Sequence, residues 1–403
     1  MPTVPDPLTP APSKGLPREL YLLVLLLVIA HTAYNGVRIT TSLAAIKAGG
    51  GALWVGFLTA MFNIVPAFVA IRVGRMVDRV PLRRPLVLGC VLMSLGGVVA
   101  AIEPMLGILA VCASALGLGW MLIAASSQYA VGLYGGSALR ADGTTQRVKA
   151  FSVMSMGFSI SSFLGPLIAG LMIDHVSFRA AFAVLAALPA LAAVVLATRL
   201  LKLPSAPPRA EVADGGAREL FAMPALRNTL ITAAFITVGW DLYGFMVPVL
   251  GSELGLTATQ IGSVLSLFAI AVFMVRFFIT TLTKHLGERG VMIAAMSLSG
   301  LTFLAFAFVH NYSLMLALSF VIGLGLGASQ PIILSLLHDV APAGRIGEVN
   351  GMRMTLLSTS QWTMPLVFGM LSASVGMLPL FVLIGGGILS GSFFAKYKLP
   401  RTR

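Results

Sequence analysis

The chain has 403 residues and carries 27 Lys+Arg against 14 Asp+Glu, a formal charge of +13, yet only 10% of it is charged and 58% is apolar. A soluble domain is roughly a quarter charged, so a water-soluble enzyme is excluded, and the apolar content suffices for on the order of twelve membrane spans of about 20 residues each. The basic excess does not point to nucleic acid either, because Lys and Arg fall in short runs between apolar stretches, a topological pattern.

Residues 1–17 hold Pro2, Pro5, Pro7, Pro10, Pro12 and Pro17, which forbids a helix and predicts a disordered cytoplasmic tail. No basic start, short apolar core and small-residue cleavage site of a secretory signal precedes the first long apolar run, so the first span is expected to be kept. Apolar runs of membrane length then recur at about 19–46, 53–73, 85–102, 105–134, 150–173, 179–200, 228–250, 258–282, 290–309, 312–338, 348–374 and 377–395. These predict an all-α membrane protein of twelve transmembrane helices. The Pro- and Gly-containing hydrophilic segment 201–227 splits them six and six. The expected organisation is a six-helix bundle over 18–200, a cytoplasmic linker over 201–227, a second bundle over 228–397 and a basic tail over 398–403.

Sorted by alternate loops, 24 of the 27 Lys and Arg residues fall on one side, Arg276 and Arg353 among them; Lys47 and Arg179 fall on the other, and Arg38 lies inside the first span. Positive charge stays on the cytoplasmic side during insertion, so both termini are expected there, in a bacterial inner membrane. Cys90 and Cys112 lie inside apolar segments and suggest neither a disulfide framework nor a metal site.

An offset of 206 places Trp54-Val55-Gly56 over Gln260-Ile261-Gly262, Gly117-Leu118-Gly119 over Gly323-Leu324-Gly325, and Asn35 over Asp241. Such a parallel repeat predicts a substrate site near mid-membrane between two pseudo-symmetric halves, reached from alternate sides.

Between the second and third runs stands Gly74-Arg75-Met76-Val77-Asp78-Arg79-Val80-Pro81-Leu82-Arg83-Arg84. It resembles the G-x-x-x-D-R-x-G-R-R loop of the major facilitator superfamily, with Pro81 where that family usually has Gly and the arginine pair one residue late. With six-plus-six topology the resemblance covers the whole chain except the tail. It implies alternating access, with Asp78 latching onto the start of the eleventh span near Gly347 to Arg353 in the outward-open state, and Gly74, Arg79, Arg83 and Arg84 supporting that loop. A carboxylate at a helix C-terminus opposes the local dipole, so Asp78 should seek Arg79 or the positive N-terminus of another helix. The fifth run, Gly157-x-x-x-Ser161-x-x-x-Gly165-Pro166-x-x-Ala169-Gly170, resembles the family's fifth-span motif, common in exporters; the competing reading is close helix packing at small residues. The fourth-span arginine often found in the family's proton antiporters is absent, since Ala113 stands there.

An ionisable residue inside the membrane is a functional hypothesis by default. His31, Tyr34, Asn35 and Arg38 fall at i, i+3, i+4 and i+7, one stripe of the first helix, and Trp240 and Asp241 occupy equivalent places in the seventh. Asp241 is expected to be the main titratable carboxylate, neutralised by a proton or a cation. Arg38 cannot plausibly discharge, so it requires Asp241, a substrate anion or solvent, unless it snorkels to the outer surface. His31 is either a proton relay or a hydrogen-bonded packing residue. Gln128, Gln330 and Gln361 offer uncharged polar contacts, or bonds between helices instead, and Trp240 and Trp362 offer stacking surfaces.

No phosphate loop, metal-spaced His pair or nucleophile elbow is present in the sequence, so neither an enzyme nor a cofactor is expected. The reading is a monomeric secondary transporter moving a small organic molecule across the lipid bilayer, with proton-coupled export (an antiporter driving efflux) ahead of uptake of an organic anion such as a carboxylate. A receptor or scaffold that uses the fold without transport is the remaining alternative.

Overall fold

The computed structural model describes residues 16–135, 146–198, 201–204, 217–342 and 346–399, so the expected tails over 1–17 and 398–403 lie largely outside the described residues. Six helices form the first half: α1 (Arg18–Lys47), α2 (Gly51–Arg79), α3 (Arg83–Ile102), α4 (Leu106–Gly135), α5 (Gln146–His175) and α6 (Phe178–Ala197). A one-turn-and-a-half α7 (Ala217–Ala222) lies in the segment read as a plain linker. The second half comprises α8 (Pro224–Glu253), α9 (Ala258–Phe306), α10 (Tyr312–Val340), α11 (Ile346–Val375) and α12 (Met377–Lys398).

Two expected spans, 258–282 and 290–309, are continuous as α9, broken at Gly287 (φ 68°, ψ 162°), a conformation that glycine adopts without a Cβ penalty. The polypeptide thus crosses twice within α9 and makes two bundles of six. Among the described residues, eleven segments are long and apolar enough to cross a membrane. The remaining long helix, the 30-residue α11, is diluted by Arg353, Ser360, Gln361 and other polar residues, as a helix facing a polar interior must be. Side-chain caps start α6 (Ser177 accepting from Ala180 N, 3.1 Å), α9 (the Thr257–Gln260 capping box) and α10 (Asn311 accepting from Leu314 N, 2.9 Å).

The 206-residue repeat reappears as geometry. A Cβ on Gly117 would overlap the Phe62 carbonyl, and one on Gly323 would lie 2.6 Å from that of Phe268; Phe62 and Phe268 are themselves 206 apart. Likewise Gly119 faces the Gly89 carbonyl and Gly325 that of Ala295, again one offset apart. Without side chains at these points, helix backbones approach until carbonyl oxygens touch Cα positions.

The halves meet along two seams, α2 against α11 and α5 against α9. Gly56 abuts the Pro365 carbonyl and Gly369, while Gly262 abuts the Pro166 carbonyl, so the repeat-related glycines do the same work in both seams. Both are tight toward the face opposite the chain termini. There the carboxylate of Asp174, at the end of α5, accepts from the backbone N–H groups of Ala258 (3.1 Å) and Thr259 (2.6 Å), the first turn of α9. A carboxylate on a helix N-terminus satisfies orphan donors and complements the dipole. Ser266 Oγ continues the seam by donating to the Phe163 carbonyl at 2.8 Å.

The expected Asp78 latch lies outside the described residues: the side chains of Gly74, Asp78 and Arg79, and most of those at the start of α11, are not described. Arg83 is described, and its guanidinium donates to the carbonyls of Leu196 and Leu201 (2.6 Å to the latter), tying the start of α3 to the end of α6 within one half. Arg84 is exposed.

Charged hydrogen bonds contribute about 1.5–3 kcal/mol each, so Asp174→Ala should open this face. A Ser162→Cys probe in the lining is expected to react several-fold to tenfold faster with an impermeant maleimide from the side of the α5–α6 turn. An unchanged rate would show that the capping carboxylate does not hold the seam.

Candidate functional site

A cavity of about 410 Å³ lies between the halves, lined from α1, α2, α4, α5, α8, α9 and α11. Its size falls within the roughly 300–1,000 Å³ of small-molecule pockets. At 1.5 Å per residue, its charged residues lie about 13 Å (Arg38), 18 Å (Asp241) and 27 Å (Arg276) from the helix ends at the closed face. Arg38 and Asp241 thus lie roughly a third and two fifths of the way along helices about 45 Å long.

Helix periodicity puts the first-helix stripe into this space. His31, Tyr34, Asn35 and Arg38 all line it. His31 is pinned: its Nδ1 lies 2.5 Å from Ser161 Oγ, and because that hydroxyl donates to the Phe158 carbonyl, the imidazole N–H donates to it, while the Asn35 amide donates to the His31 carbonyl at 3.1 Å and lies 3.2 Å from Nδ1 and 3.4 Å from Nε2. Its ring packs on Trp120 (centroids 4.5 Å) and Phe158 (4.8 Å). Arg38, half-buried, holds its guanidinium 5.8 Å from the Tyr34 ring centroid. Among the described residues no carboxylate lies within ion-pair distance of it; the ion pair found, Arg179–Glu103, is at the surface.

From α8, Trp240, Asp241, Tyr243 and Gly244 line the cavity, and Asp241 accepts from Ser360 Oγ of α11 at 3.0 Å. Gln361 of α11 lines it too, and its carbonyl accepts from the Asn63 amide of α2 at 3.3 Å, bridging the halves.

Three expected residues are elsewhere. Consecutive helical residues point about 100° apart, so with Gln361 on the cavity Trp362 faces away from it. Gln128 is two turns beyond Trp120, rotated about 80°, and is exposed; Gln330 is half-buried outside the lining. Gly165 and Pro166 serve two interfaces: a Cβ on Gly165 would lie 2.7 Å from the Thr32 carbonyl of α1, while Pro166 lines the cavity and meets Gly262. Gly170 packs on the Ala258 carbonyl across the seam, 2.6 Å from a built Cβ.

Arg276 corrects the charge sorting. Counted with the loops because it lies near the end of its apolar run, it lines the cavity instead, and its guanidinium donates to Ser159 Oγ of α5 at 3.2 Å, across the two halves. The signal available was helical phase: Arg276 falls four residues after Val272 and eleven after Leu265, both lining residues. Trp120, Phe158, Tyr243 and Phe268 were also unanticipated, since aromatic residues in apolar spans carry no mark of the face they occupy. The cavity therefore holds two guanidinium groups and one carboxylate.

The sequence matches the Major Facilitator Superfamily over residues 20–239 and 229–403. The chain belongs to the Major Facilitator Superfamily. Its resemblance to individual members is partial. The 4-hydroxybenzoate transporter PcaK of Pseudomonas aeruginosa is 35% identical over 99 residues, 25% of this chain and 22% of that one. The multidrug resistance protein MdtG of Klebsiella pneumoniae is 25% identical over 262 residues, 62% and 63% of the two chains. The quinolone resistance protein NorA of Staphylococcus aureus is 24% identical over 150 residues, 36% and 39%. The matched stretches thus span less than two thirds of each relative. Among solved structures, a POT peptide transporter superposes with a TM-score of 0.77 at 16% identity, covering 94% of this chain and 93% of that one. The nucleoside transporter NupG does so with 0.78 at 13%, covering 94% and 100%. Both establish a shared superfamily fold.

Ser161 is fully buried, and its loss leaves the His31 N–H without an acceptor. Ser161→Ala is therefore expected to cost about 1–3 kcal/mol, read as a fall of several degrees in thermal unfolding of the detergent-purified protein; an unshifted transition would disprove the assigned donor.

Proposed function

We propose that this superfamily member is a proton-coupled secondary transporter of a small organic anion, working by alternating access with both termini in the cytoplasm of a bacterial inner membrane. One observation carries the reading. Two guanidinium groups face a cavity with a single carboxylate, and neither has a carboxylate within ion-pair distance among the described residues. Arg is always charged, and an unpaired charge at this depth is costly. A bound anion lowers that cost, so the cavity selects for one.

Asp241 is the group on which a proton would ride. It is hydrogen-bonded to a neutral hydroxyl and forms no ion pair with Arg38, with which it shares the cavity, so taking up a proton breaks no salt bridge. A proton and a monoanion entering together move no net charge, which suits uptake. The orientation rests on the basic bias toward the terminal face, which survives the removal of Arg276 from it. On that orientation the joined face, closed by the Asp174 cap, is the outer one.

Export is the second reading. It is favoured by the exporter-like Gly165-Pro166 element of α5, seated in the seam, and by the names of MdtG and NorA; that of PcaK favours an aromatic acid.

Proteoliposomes with an organic acid library supplied outside, or loaded inside, at imposed pH gradients test both. With acid outside, inward accumulation of an externally supplied carboxylate is expected, reduced at least tenfold in Arg38→Gln. Asp241→Asn should retain counterflow but lose the pH dependence. Unchanged accumulation by Arg38→Gln would refute the anion reading, and pH-driven loss of substrate from the vesicles in place of uptake would favour export.

A further inference from the structure

The cavity lining is unusually aromatic and its rings fall into two separate banks. Six of its 23 residues are Phe, Trp or Tyr, against 8% in the chain as a whole, so ordinary membrane packing does not account for the enrichment. One bank comes from the first half: Trp120 stacks with Tyr34 (5.5 Å, 25°) and meets Phe158 edge-on (5.8 Å, 72°). The other comes from the second half: Tyr243 stacks on Phe268 (4.2 Å, 22°), and Trp240 meets the same ring edge-on at 5.2 Å. Among the described residues no ring of one bank pairs with a ring of the other. Both banks line the cavity, and a planar ring bound there can stack on or meet edge-on the rings of either bank at centroid separations of about 4.5–7 Å, a contact that a saturated ring lacks.

Charge is laid out to match. With Asp241 ionised the lining carries one positive charge in excess, and a proton on Asp241 together with a bound monoanion leaves that balance unchanged. Arg38 and Arg276 come from opposite halves, and Arg276 is held by a neutral hydroxyl, that of Ser159. A carboxylate is a stronger acceptor for a guanidinium than a serine hydroxyl is.

We infer that the substrate is a planar aromatic monocarboxylate, its ring seated between the two banks and its carboxylate drawing Arg276 off Ser159 while Arg38 neutralises it. This rests on the anion reading above and narrows it. Arg276, on α9, and Arg38, on α1, then hold one carboxylate between the halves. Loading the site thereby exchanges a bond between protein groups, Arg276 to Ser159, for one through the substrate.

Calorimetric binding to the purified full-length protein tests this with four probes: benzoate, cyclohexanecarboxylate (the same charge and carbon count without planarity), phthalate (a dianion) and benzamide (uncharged). Benzoate is expected to bind at least tenfold tighter than cyclohexanecarboxylate or phthalate, and benzamide not to register. Trp120→Leu should erase the preference over cyclohexanecarboxylate while retaining affinity for it. Ser159→Ala, which frees Arg276, should tighten benzoate binding several-fold, an effect that a merely structural serine would not produce, and Arg276→Gln should weaken it at least tenfold. Equal affinity for benzoate and cyclohexanecarboxylate, with both lost in Arg38→Gln, would overturn the aromatic assignment and leave the anion reading standing. Benzamide binding like benzoate, unaffected by Arg38→Gln, would overturn both.

Discussion

A guanidinium cannot shed its charge inside a membrane protein, and Arg38 sits nine residues deep in a chain that is 58% apolar. Hydrocarbon around it would cost several kcal/mol, so the fold must supply a polar space at that depth. Of the helices that line this space, α11 carries so many polar residues that its hydropathy falls below that of an ordinary span. From this follows the separation of the halves at mid-depth and the need for them to join somewhere else. The seams beside the closed face meet that need.

Those seams and the cavity use the same repeat for opposite ends. Where the halves join, the repeat is symmetric: Gly56 and Gly262 each receive a proline carbonyl from the facing half. Where they part, it is asymmetric. Asn35 lies opposite Asp241 in the repeat, Tyr34 opposite Trp240, and Arg38 opposite Gly244, all of them lining residues. The backbone contacts that let two bundles rock demand matching shapes, whereas a ligand without twofold symmetry demands a lining that lacks it. Gly244 contributes space where its counterpart contributes charge, and no atom lies within 4 Å of a Cβ built there.

Coupling between the two regions passes along α5 and α9. On α5, Ser159 meets Arg276 in the cavity, Gly170 packs on the start of α9, and Asp174 caps it. One helix pair therefore carries a polar contact sensitive to the cavity's contents and a capped end that closes the face. The helical rods between them are stiff, with Pro166 the point where α5 lacks a backbone donor. A change at Ser159 and a change at Asp174 are thus linked through a segment of some fifteen residues, with one weak point.

Membrane-length apolar runs, their division six and six, the basic bias and the His31–Arg38 stripe all come from one-dimensional periodicities, and a chain in lipid has few ways to satisfy them other than as spanning helices. The glycine repeat was visible for the same reason, although its meaning, carbonyls resting where side chains would be, required the packed helices. Periodicity says which residues share a face of one helix. It does not say what that face meets, because rotation about the helix axis and the choice of neighbours are settled by packing between segments far apart in sequence. For that reason Arg276 passed for a loop residue, Gln128, Gln330 and Trp362 were assigned to a cavity they do not line, and the two aromatic banks and the Asp174 cap, each assembled from separate helices, emerged only once the bundles were built.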